Sequence, residues 1–132
     1  MRMTAALLLG VGLAIMSRQA EAHHSFAAEF DAAKPFKLTG AVTQVVWSNP
    51  HAWLHIDVVD AATNKVTSWA VELNSPNALL RAGWKRDTLK AGDVITVEGS
   101  LAKDGSPTGN ARSVTTAAGQ KLFAGSSQDE TP

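Results

Sequence analysis

The order of apolar and polar residues along the chain predicts a series of β-strands. Strict alternation, which is typical of a half-buried strand, is clearest over residues 52–59. One face of this predicted strand carries four apolar side chains, those of Ala52, Leu54, Ile56 and Val58. The opposite face carries two histidines, a tryptophan and a carboxylate, those of His51, Trp53, His55 and Asp57. The sequence therefore predicts one face in the core and one face with reactive side chains outside it.

Further strands and one short helix follow from the same kind of pattern. Ser75 before Pro76 is a typical helix start, and Gly83 is a typical helix end. Asp104 and Gly105 predict a hairpin turn. Stretches rich in β-branched and alternating apolar residues predict strands over 36–47 (with a bend at Gly40), 66–73, 94–101 and 112–117, the last extended by 120–124.

The order of these elements predicts an all-β fold with one short helix. Three strands, a helix and two strands are the elements of a small five-stranded OB-like barrel, in which the helix closes one end. Gly92 and Gly99 flank the fourth strand and permit the curvature that closure needs. An antiparallel β-sandwich is the alternative architecture. We expect the OB-like domain to span residues 36–124.

The first 22 residues have the three parts of a cleaved signal peptide. Arg2 supplies a positive charge, Ala5 to Met16 are apolar, and Ala20-Glu21-Ala22 is a small-x-small cleavage site. Twelve apolar residues are too few to span a bilayer, which takes about 20. The sequence therefore predicts a periplasmic protein with no membrane segment after cleavage. An N-terminal arm over 23–35 and a disordered tail over 125–132 would flank the domain.

Composition excludes several classes of protein and disfavours others. The chain has no cysteine, which excludes disulfides and thiolate metal sites. Its 12 Lys and Arg against 12 Asp and Glu argue against nucleic-acid binding, which needs a basic surface. Recognisable signatures of nucleophilic, phosphate-binding or zinc-dependent catalysis are missing from the sequence. These observations favour a monomeric binding protein over an enzyme.

Several short motifs together suggest a family. They are HHSFAAEFD at 23–31, WSNPH at 47–51, SPN at 75–77, RAGW at 81–84 and KDGS at 103–106. With them the chain resembles the DUF6152 family of secreted bacterial proteins of unknown function. The resemblance implies a periplasmic location and carries over no activity.

The predicted cleavage site suggests a metal site. Cleavage after Ala22 would expose His23, whose α-amine and ring nitrogen can chelate one ion, with His24 directly behind it. A nitrogen-rich set of this kind suits Cu(II), and His51 in its turn could supply a third nitrogen. The alternative is that His23 and His24 form a solvated terminus and that His51 only shapes a turn.

A second candidate site lies on the outer strand face. Alternation predicts that Trp47, Trp53, His55 and Glu72 share this face, where they could bind a periplasmic protein or a small ligand. The alternative is that Phe26 and Phe30 of the arm cover the tryptophans, and that His55 is a surface partner of Asp57 or Glu72. Two hypotheses therefore stand: a copper-binding protein, and a metal-free interaction module. Trp69 and Trp84 are expected in the core.

Overall fold

The computed structural model of the protein describes residues 26–125, which form six strands and one helix after a helical turn at 26–29. In chain order the elements are β1 (Phe30–Val46), β2 (Trp53–Val59), β3 (Val66–Glu72), α1 (Pro76–Arg81), β4 (Val94–Ala102), β5 (Thr108–Thr116) and β6 (Lys121–Phe123). The predicted signal peptide, His23, His24 and the tail after Gly125 lie outside the described residues. Within 26–125 no helix combines the length and the apolar character needed to cross a membrane.

All six strands belong to one sheet, and five of them close into a ring. The sheet order is β3-β2-β1-β4-β5-β6, and β3 also pairs with β5 in parallel. The ring therefore runs β1-β2-β3-β5-β4, with α1 between the third and fourth strands along the chain. The predicted all-β fold with one short helix is confirmed. A sandwich would require two separate sheets, so the alternative architecture does not describe this molecule.

Strand β2 shows the alternation that its sequence predicts. Ala52, Leu54 and Ile56 have no exposed surface, whereas Trp53 and His55 are half-buried. The buried side chains of β2 pack with those of the other ring strands and of the segment around α1 into one core. Trp84 belongs to that core, as expected, and Trp69 packs against its edge. Burial of this apolar surface is the main force that holds the ring together.

Strand β1 is longer than the sequence indicates. It begins at Phe30 rather than at residue 36, because residues 30–41 pair with β4 while residues 41–46 pair with β2. The β1–β4 register is irregular between Asp31 and Pro35, which leaves room for the proline within the strand. Near the middle, a Cβ on Gly40 would lie 2.6 Å from the carbonyl oxygen of Asp57. Glycine at this position thus allows β1 to pass close to β2.

The predicted start of α1 and the predicted β4–β5 turn are both stabilised by side-chain hydrogen bonds. Ser75 caps α1, since its Oγ accepts a hydrogen bond from the Ala78 amide at 3.3 Å. After the helix, Trp84 donates from Nε1 to the carbonyl oxygen of Phe123 at 2.9 Å and so fastens this segment to β6. In the β4–β5 hairpin Gly105 takes a left-handed φ of 76°. The side chain of Asp104 accepts the Ser106 amide there at 2.9 Å.

Candidate functional site

A buried carboxylate lies where the ring closes. Glu72, the last residue of β3, is only 9% exposed. Glu72 lies opposite Trp53 in the pairing of β3 with β2, and opposite Asn110 in the pairing of β3 with β5. Asn110 donates from Nδ2 to Glu72 Oε1 at 3.1 Å. The parallel β3–β5 pairing is therefore what brings an amide donor to this acid.

His51 lies beside Glu72 with one ring nitrogen already committed. Its Nδ1 is 3.0 Å from the carbonyl oxygen of Leu73 and 3.7 Å from Glu72 Oε1. Because a carbonyl oxygen can only accept, Nδ1 must carry the hydrogen, and the neutral ring then has a free lone pair on Nε2. The side chain is 33% exposed, so solvent can reach the ring. His51 thus has the tautomer and orientation that a histidine needs in order to bind a metal or a hydrogen-bond donor.

The surroundings of Glu72 favour its neutral form. Burial raises the pKa of this carboxyl above its ordinary value, and the charge of Glu29 raises it further. A positive charge on His51 and the hydrogen bond from Asn110 act in the opposite direction and lower the pKa. The raised pKa results mainly from lost hydration, with a smaller contribution from the negative charge of Glu29.

The N-terminal arm is fastened beside this site. The backbone amide of Lys103 donates to the carbonyl oxygen of Glu29 at 2.8 Å, and its side-chain Nζ donates to the carbonyl oxygen of Ala27. Phe26 and Phe30 pair with ring centroids 5.6 Å apart, and Phe30 is 3% exposed. Residues 26–29 form a helical turn that leads from Phe26 into Phe30 and brings the two rings together.

A pocket of about 560 Å³ opens between the arm, β2 and the β4–β5 hairpin. Glu29 and Phe30 line its arm side, Trp53 lines its sheet side, and Lys103 and Asp104 belong to its hairpin side. The volume is within the range of small-molecule sites, about 300–1,000 Å³. Trp53 is thus available to a ligand, while the nearby arm covers part of its surroundings.

Trp47 does not join Trp53 in this pocket. Its ring packs against the hydrophobic core and lies 5.2 Å from the guanidinium carbon of Arg86, which stacks over it. In the register of β1 and β2 it is Val46, not Trp47, that lies opposite Trp53. Trp47 Nε1 is buried and has no hydrogen-bond partner among the described residues. The structure therefore gives the two tryptophans different surroundings.

His55 lies two residues from Trp53 along β2, on the same face of the strand. It lies opposite Gln44 on one side and Ala70 on the other. Asp57 accepts a hydrogen bond from Ser68 Oγ at 2.6 Å, and the imidazole beside Glu72 is that of His51. Within residues 26–125, no group of three or more histidine, aspartate or glutamate side chains could hold a metal ion. His23 and His24 lie outside that range.

Sequence reasoning missed two residues of this site. Asn110 reaches Glu72 only through the pairing of β3 with β5, which no local pattern predicts. Glu29 belongs to the motif HHSFAAEFD, but its electrostatic effect on Glu72 depends on how the arm folds back.

These features define an all-β protein whose ring of strands closes between β3 and β5. A buried acid, a half-buried histidine and a docked N-terminal arm lie near that closure. The chain belongs to DUF6152, a family of unknown function, whose model matches residues 11–112. The resemblance seen in the sequence is thereby confirmed. None of the curated proteins matches the chain.

Proposed function

We propose that the protein is a non-enzymatic periplasmic binding protein that takes Cu(II) through His23, His24 and His51. The observation that carries the proposal is the hydrogen bond from His51 Nδ1 to the Leu73 carbonyl at 3.0 Å. Metal-binding histidines commonly donate their second ring nitrogen to a carbonyl or carboxylate, which fixes the ring and leaves the other nitrogen for the metal. His51 meets that requirement through Nε2.

The position of the arm supports the same proposal. His23 precedes Phe26 by three residues, a length of chain that spans at most about 11 Å. The first described residues of the arm lie beside Glu29, whose charge acts on Glu72, and Glu72 in turn lies 3.7 Å from His51. The negative charge of Glu29 near this site would also favour the approach of a cation.

Signal cleavage after Ala22 would complete the ligand set. It would create a new α-amine on His23, whose reference pKa of about 7.7–8.0 allows it to lose its proton to a metal near neutral pH. Amine, imidazole and a further imidazole form a nitrogen-rich set that suits Cu(II). The periplasmic location is part of this proposal, because an unprocessed chain would lack the amine.

The test combines intact mass with copper titration of the secreted protein. We expect a mass that begins at His23 and one Cu(II) retained against a competing chelator. His51→Gln should weaken the affinity by about tenfold or more, and so should one glycine added ahead of His23. His55→Gln, four residues further along the chain in β2, is the matched control and should leave the affinity unchanged. Equal affinity of the His51 and His55 variants would contradict the proposal.

A second candidate function rests on the pocket beside Trp53. In a metal-free interaction module, this pocket of about 560 Å³ would receive a side chain of a partner protein or a small ligand. Trp53→Ala should then abolish partner capture from a periplasmic extract and leave copper affinity intact. Loss of copper binding on adding the glycine, with normal partner capture, would favour the metal site instead.

A further inference from the structure

A second groove lies across β1, β4, β5 and β6, and the copper proposal does not use it. Its volume is about 810 Å³. Pro35 and Phe123 supply apolar surface, and Lys37, Arg112 and Lys121 supply three positive charges. Ligand sites in proteins combine an apolar lining with a few placed polar groups in this way.

One aromatic side chain of the groove is exposed. Phe123 is 42% exposed and, by the strand registers, its ring shares a face with Glu98 and Lys37. The Phe36 ring lies on the other face of β1, where it stacks on Trp69 with centroids 6.0 Å apart and packs against the core. Phe123 therefore offers apolar surface that a ligand could cover beside the charges of the groove.

The charges of the groove are unequal. Glu98 lies between Lys37 and Lys121, with N–O distances of 3.7 and 3.6 Å, and these lysines lower the pKa of its carboxyl. Arg112 makes no ion pair with any residue in 26–125. The groove therefore carries three cations and one carboxylate, although the whole chain has 12 of each sign. Its charge complements an anion.

We propose that this groove binds a small aromatic carboxylate. The aromatic body would pack on the exposed ring of Phe123, where offset or edge-to-face ring contacts are favourable. The carboxylate would pair with Arg112, whose planar fork can donate two parallel hydrogen bonds to it. This site is separate from the His51 site, and the two can be tested independently.

The test is a titration of the ¹⁵N-labelled, signal-cleaved protein with 2-naphthoate, followed by amide NMR shifts. We expect saturable shifts at Phe36, Arg112 and Phe123, with a Kd of about 1 mM or tighter for a ligand of this size in an open groove. The neutral analogue 2-naphthylmethanol should bind at least about threefold more weakly, because it lacks the charge. Shifts scattered over the surface, or equal affinity for the neutral analogue, would overturn the proposal.

Three substitutions make the test specific. Arg112→Gln should weaken 2-naphthoate binding by about threefold or more, while Lys65→Gln in the β2–β3 turn is the control and should have no effect. Glu98→Gln should strengthen binding by about twofold, since it removes the competing carboxylate and releases both lysines. Damage to the fold could not produce such a gain. Unchanged or weaker binding by the Glu98→Gln variant would contradict the proposed role of charge.

Discussion

Asn110 and Glu72 join the two parallel strands of the ring through one side-chain hydrogen bond, 3.1 Å from Nδ2 to Oε1. The strand pairing has a cost, because it buries a carboxyl group in a place that disfavours its charge. Burial and the charge of Glu29 raise the pKa of Glu72. The strand closure and the unusual acid are thus two consequences of the same pairing.

The first prediction concerns the pH dependence of stability in the metal-free protein. The folded state holds the proton of Glu72 more tightly than the unfolded state, whose reference pKa is 4.5. The free energy of unfolding should therefore fall as pH rises from 4.5 through the raised pKa of the folded state. The Glu72→Gln side chain has no proton to lose and can still accept the hydrogen bond from Asn110. The free energy of unfolding of this variant, relative to that of the unmodified protein, should therefore increase as pH rises through the same range.

Urea unfolding from pH 8 down to about pH 3, in the presence of a chelator, would measure this difference and also cover the window of the control. Glu98→Gln is the control of opposite sign, because lysines lower the pKa of Glu98 and its carboxylate contributes stability that is lost as pH falls. His51 also faces Glu72. Repeating the measurement in the His51→Gln variant removes the charge of His51, so that the effect of Glu29 on Glu72 can be measured alone. A stability difference for Glu72→Gln that is constant with pH would refute the prediction.

A second prediction concerns Trp84, which is 2% exposed and donates to the Phe123 carbonyl. Trp84→Phe should lower the free energy of unfolding by about 2 kcal/mol, since it removes the donor and leaves a void in the core. Trp69→Phe is the matched control, because Trp69 packs only at the edge of the core. It should cost less than about 1 kcal/mol. Equal losses in chemical denaturation would contradict the prediction.

The third prediction concerns Gly99, where β4 passes against β5. A Cβ at this position would overlap the backbone carbonyl of Asn110, and neither strand can yield without breaking the ladder. Gly99→Ala should therefore destabilise the fold by about 3 kcal/mol or more. Gly105→Ala has open space around its Cβ but a φ of 76°, and should cost about 1 kcal/mol. The reverse order of the two melting temperatures would contradict this account.

The fourth prediction concerns the attachment of the arm. Phe30 is 3% exposed at the start of β1, so Phe30→Ala should cost about 3 kcal/mol and speed amide exchange in residues 26–31. Phe26 is half-buried and pairs only with the Phe30 ring within the described aromatic contacts. Phe26→Ala should cost less than half as much. Unchanged exchange in the Phe30 variant would mean that backbone bonds to Lys103 alone hold the arm.

Local patterns in the sequence predicted most of the fold. Alternation in β2 identified the buried residues Leu54 and Ile56, and Ser75-Pro76 identified the start of α1. The extra length of β1 escaped prediction because Pro35 and the preceding alanines favour no strand by themselves. Their pairing with β4 depends on residues more than sixty positions away, such as Ala102 opposite Phe30.

The candidate site was only partly predictable for the same reason. Residue types marked His51, Trp53 and Glu72 as chemically interesting, and the structure places His51 beside Glu72. Alternation could not show that Trp47 turns toward the core, because the chain leaves β1 at Val46 before the turn. Nor could it show that Asn110 reaches Glu72, which follows from a pairing across 38 positions of sequence.

The parallel pairing of β3 with β5 also has a consequence for the time course of folding. Residues 70–72 must find residues 108–110, so the ring cannot close before almost all of the described chain is available. Contacts so distant in sequence carry a large loop-closure entropy and slow the search for the native state. The hydrogen bond that joins Asn110 to Glu72 therefore cannot form before β3 and β5 have paired.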